Sequence, residues 1–224
     1  MFETESQLVD VLKKNYRAFC HWDPKKFDTK ILEEVDLGYG IADLVISKLA
    51  GKKEQSNFPL NYFDALVYKI IETNKSISFE KLKEITKANS STINGSLKKL
   101  IQDSYVAKSD SLFVFHKTYK AVAIDSIAIE AKLKNWKRAL DQAFRYKWFA
   151  DKSYVVLDSN YIKPAISNIN EFTKMNVGLA EINLQGEVKL HFKPIKSLPI
   201  DYKMWILLNE RLKIFKNSSE MISM

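Results

Sequence analysis

The sequence predicts an α/β protein in which a mixed sheet flanked by helices is interrupted by a helix-rich segment. Strand-like and helix-like hydrophobic patterns alternate before residue 60 and again after residue 120, which is typical of a mixed α/β domain. Between these two parts the pattern is that of three short helices and a hairpin. With 46% hydrophobic residues and only 6 Gly and 5 Pro among 224 residues, the composition excludes a disordered or fibrous chain.

The first part, residues 1–60, is predicted to hold a helix followed by a hairpin. Apolar residues recur at spacings of three and four from Glu5 to Tyr16, which predicts an amphipathic helix. The β-rich runs 31–37 and 41–49 flank a Gly-Tyr-Gly turn, and this pattern predicts an antiparallel hairpin. The polar stretch 50–61 is predicted to be a linker.

The second part, residues 61–120, has the pattern of a helix-turn-helix followed by two strands. Helices are predicted at 62–72, from Ser78 onward, and from Ser90 or Ser91 onward, with only three residues between the second and the third. Two strands, 105–108 and 112–116, are predicted to follow around a short turn. This order of elements resembles the winged helix-turn-helix family, in which the third helix usually enters the major groove of DNA.

The resemblance implies that small polar and basic residues of the third helix and the wing contact duplex DNA. These candidates are Ser90, Ser91, Thr92, Asn94, Ser96, Lys98, Lys99 and Lys108. A winged helix that contacts another protein is the alternative.

After residue 120 the chain is predicted to return to the mixed α/β pattern. Strands are predicted at 121–124, 126–133, 153–157, 178–184 and 187–192, and helices at 136–150, 160–174 and 201–216. The predicted domains are an interrupted core, 1–60 and 121–200, an inserted domain, 61–120, and a C-terminal helix and tail, 201–224.

The formal net charge of +8 is concentrated in two segments. Residues 62–120 carry ten lysines against six acidic residues, and residues 132–152 carry seven basic residues against two acidic ones. Such segments favour a polyanionic partner, since Lys and Arg near phosphates release counterions on binding. The second segment adds DNA-contact candidates, namely Lys134, Lys137, Arg138 and Arg145. Solvated helix faces are the alternative interpretation.

Two short sequences place charged residues inside strands that are otherwise apolar. Asp43 lies within the run 40–46, and Glu130 and Lys132 share one face of the strand 127–133, because strand side chains alternate. A buried acid needs a cation, a hydrogen-bond donor or a metal ion. Taken singly, either sequence is more typical of an edge residue or a surface ion pair.

Together these residues resemble the PD-(D/E)XK nuclease superfamily, which has the restriction-endonuclease-like fold. The resemblance rests on a first helix containing Glu5, a hairpin ending in Gly-x-Ala-Asp, a strand with Ile-Glu-Ala-Lys, and a long helix with Gln142 and Tyr146 four residues apart. This last spacing is similar to the Gln-x-x-x-Tyr signature of the RecB-like branch. The sequence departs from the family at Ala42, where Pro is usual, and in the 87 positions from Asp43 to Glu130.

The resemblance implies roles for these residues in a metal-dependent active site. Asp43 and Glu130 would be ligands of Mg²⁺ or Mn²⁺, joined by the main-chain carbonyl of Ala131 and by Glu5, with Glu3 as the rival of Glu5. Lys132 would position the attacking water or stabilise charge in the transition state. Gln142 and Tyr146 would line the site.

The resemblance therefore predicts a metal-dependent DNA endonuclease that hydrolyses phosphodiester bonds and carries a DNA-binding winged helix. The alternative is a catalytically silent or partner-dependent DNA-binding subunit or regulator of a defence, repair or transposition complex. DNA is the expected partner, and both a homodimer and a larger nucleoprotein complex stay open. No membrane span and no secretory signal are expected, and the single Cys20 fits a reducing cytoplasm.

Overall fold

The computed structural model describes residues 1–51 and 58–220. Half of the predicted linker and the end of the predicted tail, residues 52–57 and 221–224, lie outside the described residues. The chain divides into two compact units, one formed by Met1–Gly51 with Ala123–Tyr202 and the other by Lys52–Val122 with Lys203–Met224.

The first unit is built on a six-stranded mixed sheet with the strand order β1-β2-β6-β7-β8-β9. Strands β1, β2 and β6 pair antiparallel, β6, β7 and β8 pair parallel, and β9 is antiparallel to β8. The sheet confirms the predicted α/β class. Its strands are β1 (Thr29–Asp36), β2 (Ile41–Leu49), β6 (Ala123–Lys132), β7 (Lys152–Asp158), β8 (Gly178–Ile182) and β9 (Val188–Phe192).

Helices cover both faces of this sheet. Helix α1 (Glu5–Lys14) buries Leu8 and Leu12 in a core that also contains Leu44 of β2 and Ile129 of β6. Helix α5 (Trp136–Arg145) lies against β6 and β7 and buries Ala139, Leu140 and Ala143. Since side chains alternate along a strand, the residues next to Leu44 and Ile129 face the α5 side of the sheet.

Two helices of the first unit are shorter than predicted. The helix predicted at 136–150 ends at Arg145, and a turn of 3₁₀ helix, Tyr146–Trp148, continues it. The helix predicted at 160–174 is a 3₁₀ turn, Ser159–Tyr161, followed by α6 (Lys163–Ile166) and α7 (Ile169–Met175). Pro164 lies in the first turn of α6, where its missing N–H is tolerated. Because proline is not tolerated in a helix interior, the helix does not continue towards the N-terminus from this position.

The second unit contains three helices, a small sheet and the C-terminal helix. Its elements are α2 (Tyr62–Asn74), β3 (Ser76–Ser78), α3 (Phe79–Thr86), α4 (Ser90–Gln102), β4 (Val106–Ser109), β5 (Leu112–Phe115) and α8 (Tyr202–Glu220). The small sheet has the order β3-β5-β4, and β3 was not predicted, because three residues are too few for a hydrophobic pattern. Helix α4 begins at Ser90, the first of the two predicted starting residues, and the Asn89 side chain caps it by accepting a hydrogen bond from the Thr92 N–H.

Buried polar contacts attach α8 to the rest of the second unit. The Glu210 carboxylate accepts hydrogen bonds from the Tyr119 hydroxyl at 2.6 Å, the Lys213 ammonium at 2.7 Å and the Leu60 N–H at 3.2 Å. Asn209 Oδ1 accepts from the Val122 N–H at 2.9 Å. The segment predicted as a separate C-terminal helix therefore packs as part of this unit.

Candidate active site and nucleic-acid interface

Strand register brings Asp43 and Glu130 opposite each other at one end of β2 and β6. The two strands are antiparallel, with Leu44 paired to Ile129. Continuing that register by one residue places Asp43 across from Glu130 on the α5 side of the sheet. The sequence separates the two acids by the whole of segment 52–122, and the pairing of β2 with β6 brings them together.

The Asp43 carboxylate is partly buried and fixed by the backbone of the neighbouring strand. Its Oδ2 accepts a hydrogen bond from the Ala131 N–H at 2.7 Å. Burial raises the pKa of Asp43 above its usual value, and the nearby charges of Glu5 and Glu34 act in the same direction. The Ala131 bond and the Lys132 charge oppose this rise.

Glu34 is an acidic neighbour that the sequence analysis missed. On β1, Glu33 pairs with Leu44 and Val35 with Ala42, so Glu34 lies across from Asp43. Its φ of 48° is in the left-handed region, which a glutamate within a strand rarely adopts. Two consecutive glutamates in the first strand of the hairpin were the available signal.

The Glu130 carboxylate is the most deeply buried acidic group of the site, with only 1% of the residue exposed. Its Oε2 accepts a hydrogen bond from the Tyr146 hydroxyl, and its Oε1 lies 3.0 Å from Lys132 Nζ. Burial raises the pKa of Glu130, the charge of Asp43 adds to the rise, and the bonds from Tyr146 and Lys132 oppose it. The site therefore holds two desolvated carboxyl groups side by side.

The Lys132 ammonium connects Glu130 to the first helix. Lys132 Nζ also lies 3.0 Å from Oε2 of Glu5, which is in the first turn of α1. Burial favours a lower pKa for Lys132, but its bonds to Glu130 and Glu5 outweigh burial and raise the pKa. Lys132 is therefore a fixed cation at neutral pH. The rival first-helix acid, Glu3, lies before the helix and is exposed.

Tyr146 contacts the site, and Gln142 does not bond to it. The buried Tyr146 hydroxyl lies 2.6 Å from the Ile41 carbonyl oxygen in addition to its bond with Glu130, so one proton serves two acceptors. Burial and the Glu130 charge raise the pKa of Tyr146, which keeps the hydroxyl protonated. Within the described residues, Gln142 Oε1 is buried and has no hydrogen-bond partner. Tyr146 is the C-cap of α5 and the first residue of the 3₁₀ turn that continues the helix. The predicted role of Gln142 in lining the site stays a prediction.

Among the side chains of the candidate site, only the carboxylates are suitable ligands for a hard divalent cation. Asp43 and Glu130 supply the oxygen ligands that Mg²⁺ prefers, and Mg²⁺ usually retains several waters beside one or two carboxylates. Across residues 1–51 and 58–220, no group of three or more His, Cys, Asp or Glu side chains could hold a metal ion. At Ala131, the group that contacts Asp43 is the N–H. The predicted ligand role of the Ala131 carbonyl stays a prediction.

The basic residues predicted to contact DNA from the region of α5 are all exposed. Lys134 precedes the helix, Lys137 and Arg138 lie in its first turn, and Arg145 ends it. The guanidinium of Arg145 lies near Gly40, in the hairpin turn that leads to Asp43. Three of these cations are therefore on the helix that follows the strand carrying Glu130 and Lys132, and Lys134 lies in the connection between that strand and the helix.

The predicted contact residues of α4 divide into exposed and structural ones. The exposed candidates on α4 and the following strand are Ser90, Ser91, Thr92, Asn94, Lys98 and Lys108. Ser96, in contrast, is buried and donates a hydrogen bond to Oδ1 of the buried Asp64. Lys99 Nζ lies 2.6 Å from Oδ2 of the same carboxylate. Lys99 thus stabilises the packing of α4 against α2.

No known protein family, characterised protein or solved structure matches the chain. Among the described residues, none of the helices combines the length and the apolar character that a bilayer crossing requires.

Proposed function

We propose that the chain is a metal-dependent DNA endonuclease of the PD-(D/E)XK type, whose segment 61–120 is a winged helix that binds duplex DNA. The observation that supports this most directly is the convergence of Asp43, Glu130 and Lys132 at one end of two neighbouring strands. The three come from segments on either side of residues 52–122, and each is held by a specific partner. An ion pair formed only for stability does not require a buried and a partly buried carboxyl group side by side, both with raised pKa values.

Each residue of the site has a role in phosphodiester hydrolysis. Asp43 and Glu130 would hold Mg²⁺ or Mn²⁺, which supplies Lewis-acid activation of the phosphate and of the attacking water. The Ala131 N–H fixes the Asp43 carboxylate, and the Tyr146 hydroxyl fixes that of Glu130. The Lys132 ammonium would stabilise negative charge that develops on the phosphate oxygens.

The test of this proposal is cleavage by the purified full chain. Supercoiled, linear and single-stranded DNA and RNA are incubated with Mg²⁺ or Mn²⁺, and cleavage products are quantified. Asp43→Asn retains the shape and the Ala131 hydrogen bond but loses the charge, so we expect its rate to fall at least about a hundredfold. Asp10→Asn, on the exposed side of α1, is the matched control and should cleave at the wild-type rate. No cleavage of any substrate with either metal would refute the proposal.

One observation favours the alternative of a partner-dependent subunit. The Lys132 ammonium already bridges Glu130 and Glu5 in the isolated chain, so two of the three acids have a cationic partner without a metal ion. A partner that displaced Glu5 would release Lys132 towards the phosphate. Inactivity of the chain alone, together with cleavage when a co-purified partner is present, would support this alternative over the independent nuclease.

Neighbouring lysines of α4 are expected to differ in effect. Lys98 is exposed, so Lys98→Ala should weaken DNA binding for all sequences and reduce the steepness of the salt dependence by about one unit of log K per log salt. Lys99→Ala should lower the free energy of unfolding by about 1–2 kcal/mol, because it leaves the buried Asp64 carboxylate without its cation. Fluorescence anisotropy at several salt concentrations and urea unfolding measure the two effects. A destabilised Lys98 variant with an unchanged salt dependence would contradict this assignment.

A further inference from the structure

A groove between α5 and α7 is not used by the proposed catalytic site. Its volume is about 330 Å³, which is within the range of small-ligand pockets. The walls include the indole of Trp136 and the apolar side chains of Leu140 and Met175, and the polar lining includes Asp141, Asn168 and Glu171. The groove is therefore a cleft with a flat aromatic surface and two carboxylates.

The Trp136 indole is supported from within the unit. Its ring centroid lies 5.8 Å from that of the buried Phe172, with 36° between the ring planes. Trp136 also opens α5, where the Asn135 side chain caps the helix by accepting from the Arg138 N–H. An aromatic surface held in this way loses little side-chain entropy when another planar ring stacks on it.

Two carboxylates line the groove and most of the nearby cations lie outside it, with Lys174 Nζ 3.9 Å from Oε1 of Glu171. The carboxylates of Asp141 and Glu171 line the groove, whereas Lys134 and Arg138 are exposed at the same end of α5 and do not line it. Lys137 belongs to both sets, with its Nζ 5.6 Å from the Trp136 ring centroid. A phosphate is attracted by the exposed cations and repelled by the carboxylates inside. A nucleotide fits this arrangement of charges if its phosphate lies near the cations outside the groove and its base lies inside the groove.

We propose that this groove binds an unpaired nucleobase of a nucleic-acid strand, with guanine preferred. Ionised carboxylates only accept hydrogen bonds, and the Watson–Crick edge of guanine offers two adjacent N–H donors to one carboxylate. Thymine offers a single N–H between two carbonyl oxygens, which the carboxylates repel. The base would stack on Trp136, as bases do on aromatic side chains of proteins that bind single strands.

The proposal deepens the endonuclease function and rests on it for the choice of a nucleic-acid ligand. Trp136 follows Lys132 by four residues, so their Cα atoms are at most about 14 Å apart. One strand could therefore place a phosphate at the candidate active site and a nearby base in the groove. The groove would then direct the enzyme to substrates with unpaired bases.

The experiment measures binding by the full chain in EDTA, where no cleavage is expected. Fluorescein-labelled strands of ten thymidines, without and with two central guanines, are titrated and followed by fluorescence anisotropy. We expect the guanine-containing strand to bind at least about tenfold more tightly. The Asp141→Asn/Glu171→Gln double variant should lose this preference and bind the thymidine strand at least as tightly as the wild type, because the carboxylates no longer repel the thymine oxygens. Trp136→Leu should weaken both strands, and Trp136→Phe should restore most of the affinity. Circular dichroism checks that each variant is folded.

Three results would overturn the proposal that the groove binds an unpaired base. The first is equal affinity of the chain for the two strands. The second is a guanine preference that survives in the double variant. The third is binding of arginine amide that depends on Asp141 and Glu171, together with equal affinity for the two strands. The last result would mean that the groove binds cations. Cleavage of fully paired duplex with Mg²⁺ is measured separately. A guanine preference without cleavage refutes the endonuclease function and supports base binding by the groove. Cleavage without a guanine preference supports the endonuclease function and refutes base binding by the groove.

Discussion

Glu130→Gln is expected to abolish cleavage while leaving the fold at least as stable as the wild type. Glutamine has the same shape, and its carbonyl oxygen can still accept the hydrogen bond from Tyr146. The substitution removes a buried negative charge that could hold the metal ion, so the cleavage rate should fall at least about a hundredfold. It also removes the cost of burying that charge. Initial cleavage rates and thermal unfolding of the same preparations measure the two effects.

The stability difference between Glu130→Gln and the wild type should grow with pH. Burial raises the pKa of Glu130 in the folded state, so the unfolded chain loses its proton at lower pH than the folded chain does. The wild type therefore loses stability as pH rises from the ordinary value of about 4.3 through the raised folded-state pKa. Glutamine does not titrate. A variant that unfolds at a much lower temperature than the wild type at pH 8 would show that the Lys132 and Tyr146 bonds outweigh the burial cost.

Gly178→Ala is expected to lower the free energy of unfolding by about 2–3 kcal/mol. A Cβ at position 178 would lie 2.1 Å from Cδ1 and 2.3 Å from Cε1 of Tyr154. The Tyr154 ring is buried and packs edge-to-face on Phe19 at 5.3 Å, so it cannot move aside without cost. The melting temperature should fall by about 5–10 °C.

Two controls test the cause of this loss. Gly51→Ala, where no atom of the described residues lies within 4 Å of the added Cβ, should change stability by less than about 0.5 kcal/mol. Combining Gly178→Ala with Tyr154→Ala should cost less than the sum of the single changes, because the small side chain removes the clash. Additive losses in this cycle would contradict the steric explanation.

The sequence predicted the strands and most helices of the first unit because their hydrophobic patterns are regular. The Gly-Tyr-Gly turn at 38–40 predicted the β1-β2 hairpin, and that hairpin is confirmed. The end of α5 could not be predicted in this way, since apolar residues continue through Ala150 at helical spacing. There the chain leaves the α-helix at Tyr146, whose hydroxyl reaches Glu130 and Ile41. Such tertiary bonds leave no local pattern.

Contacts of the candidate site between residues of one strand could be predicted from the sequence. Contacts between residues of different strands could not. Glu130 and Lys132 share a face by alternation alone, and their contact at 3.0 Å fits that pattern. The approach of Asp43 depends on the register of β2 with β6, which the sequence does not specify across the intervening segment. The position of Glu34 depends on a left-handed residue inside a strand, an exception to the usual strand conformation.

The interleaving of the two units determines the order in which the chain can fold during synthesis. About 80 residues separate the end of β2 from its partner in β6, so at 5–20 residues per second β2 waits roughly 4–16 s for that partner. During this interval its edge, with the apolar Leu44, Val45 and Ile46, can pair with other chains. The second unit also stays incomplete until α8 leaves the ribosome. A fragment that ends before β6 lacks the partner strand of β2, and one that ends before α8 lacks the helix that bonds to Leu60, Tyr119 and Val122.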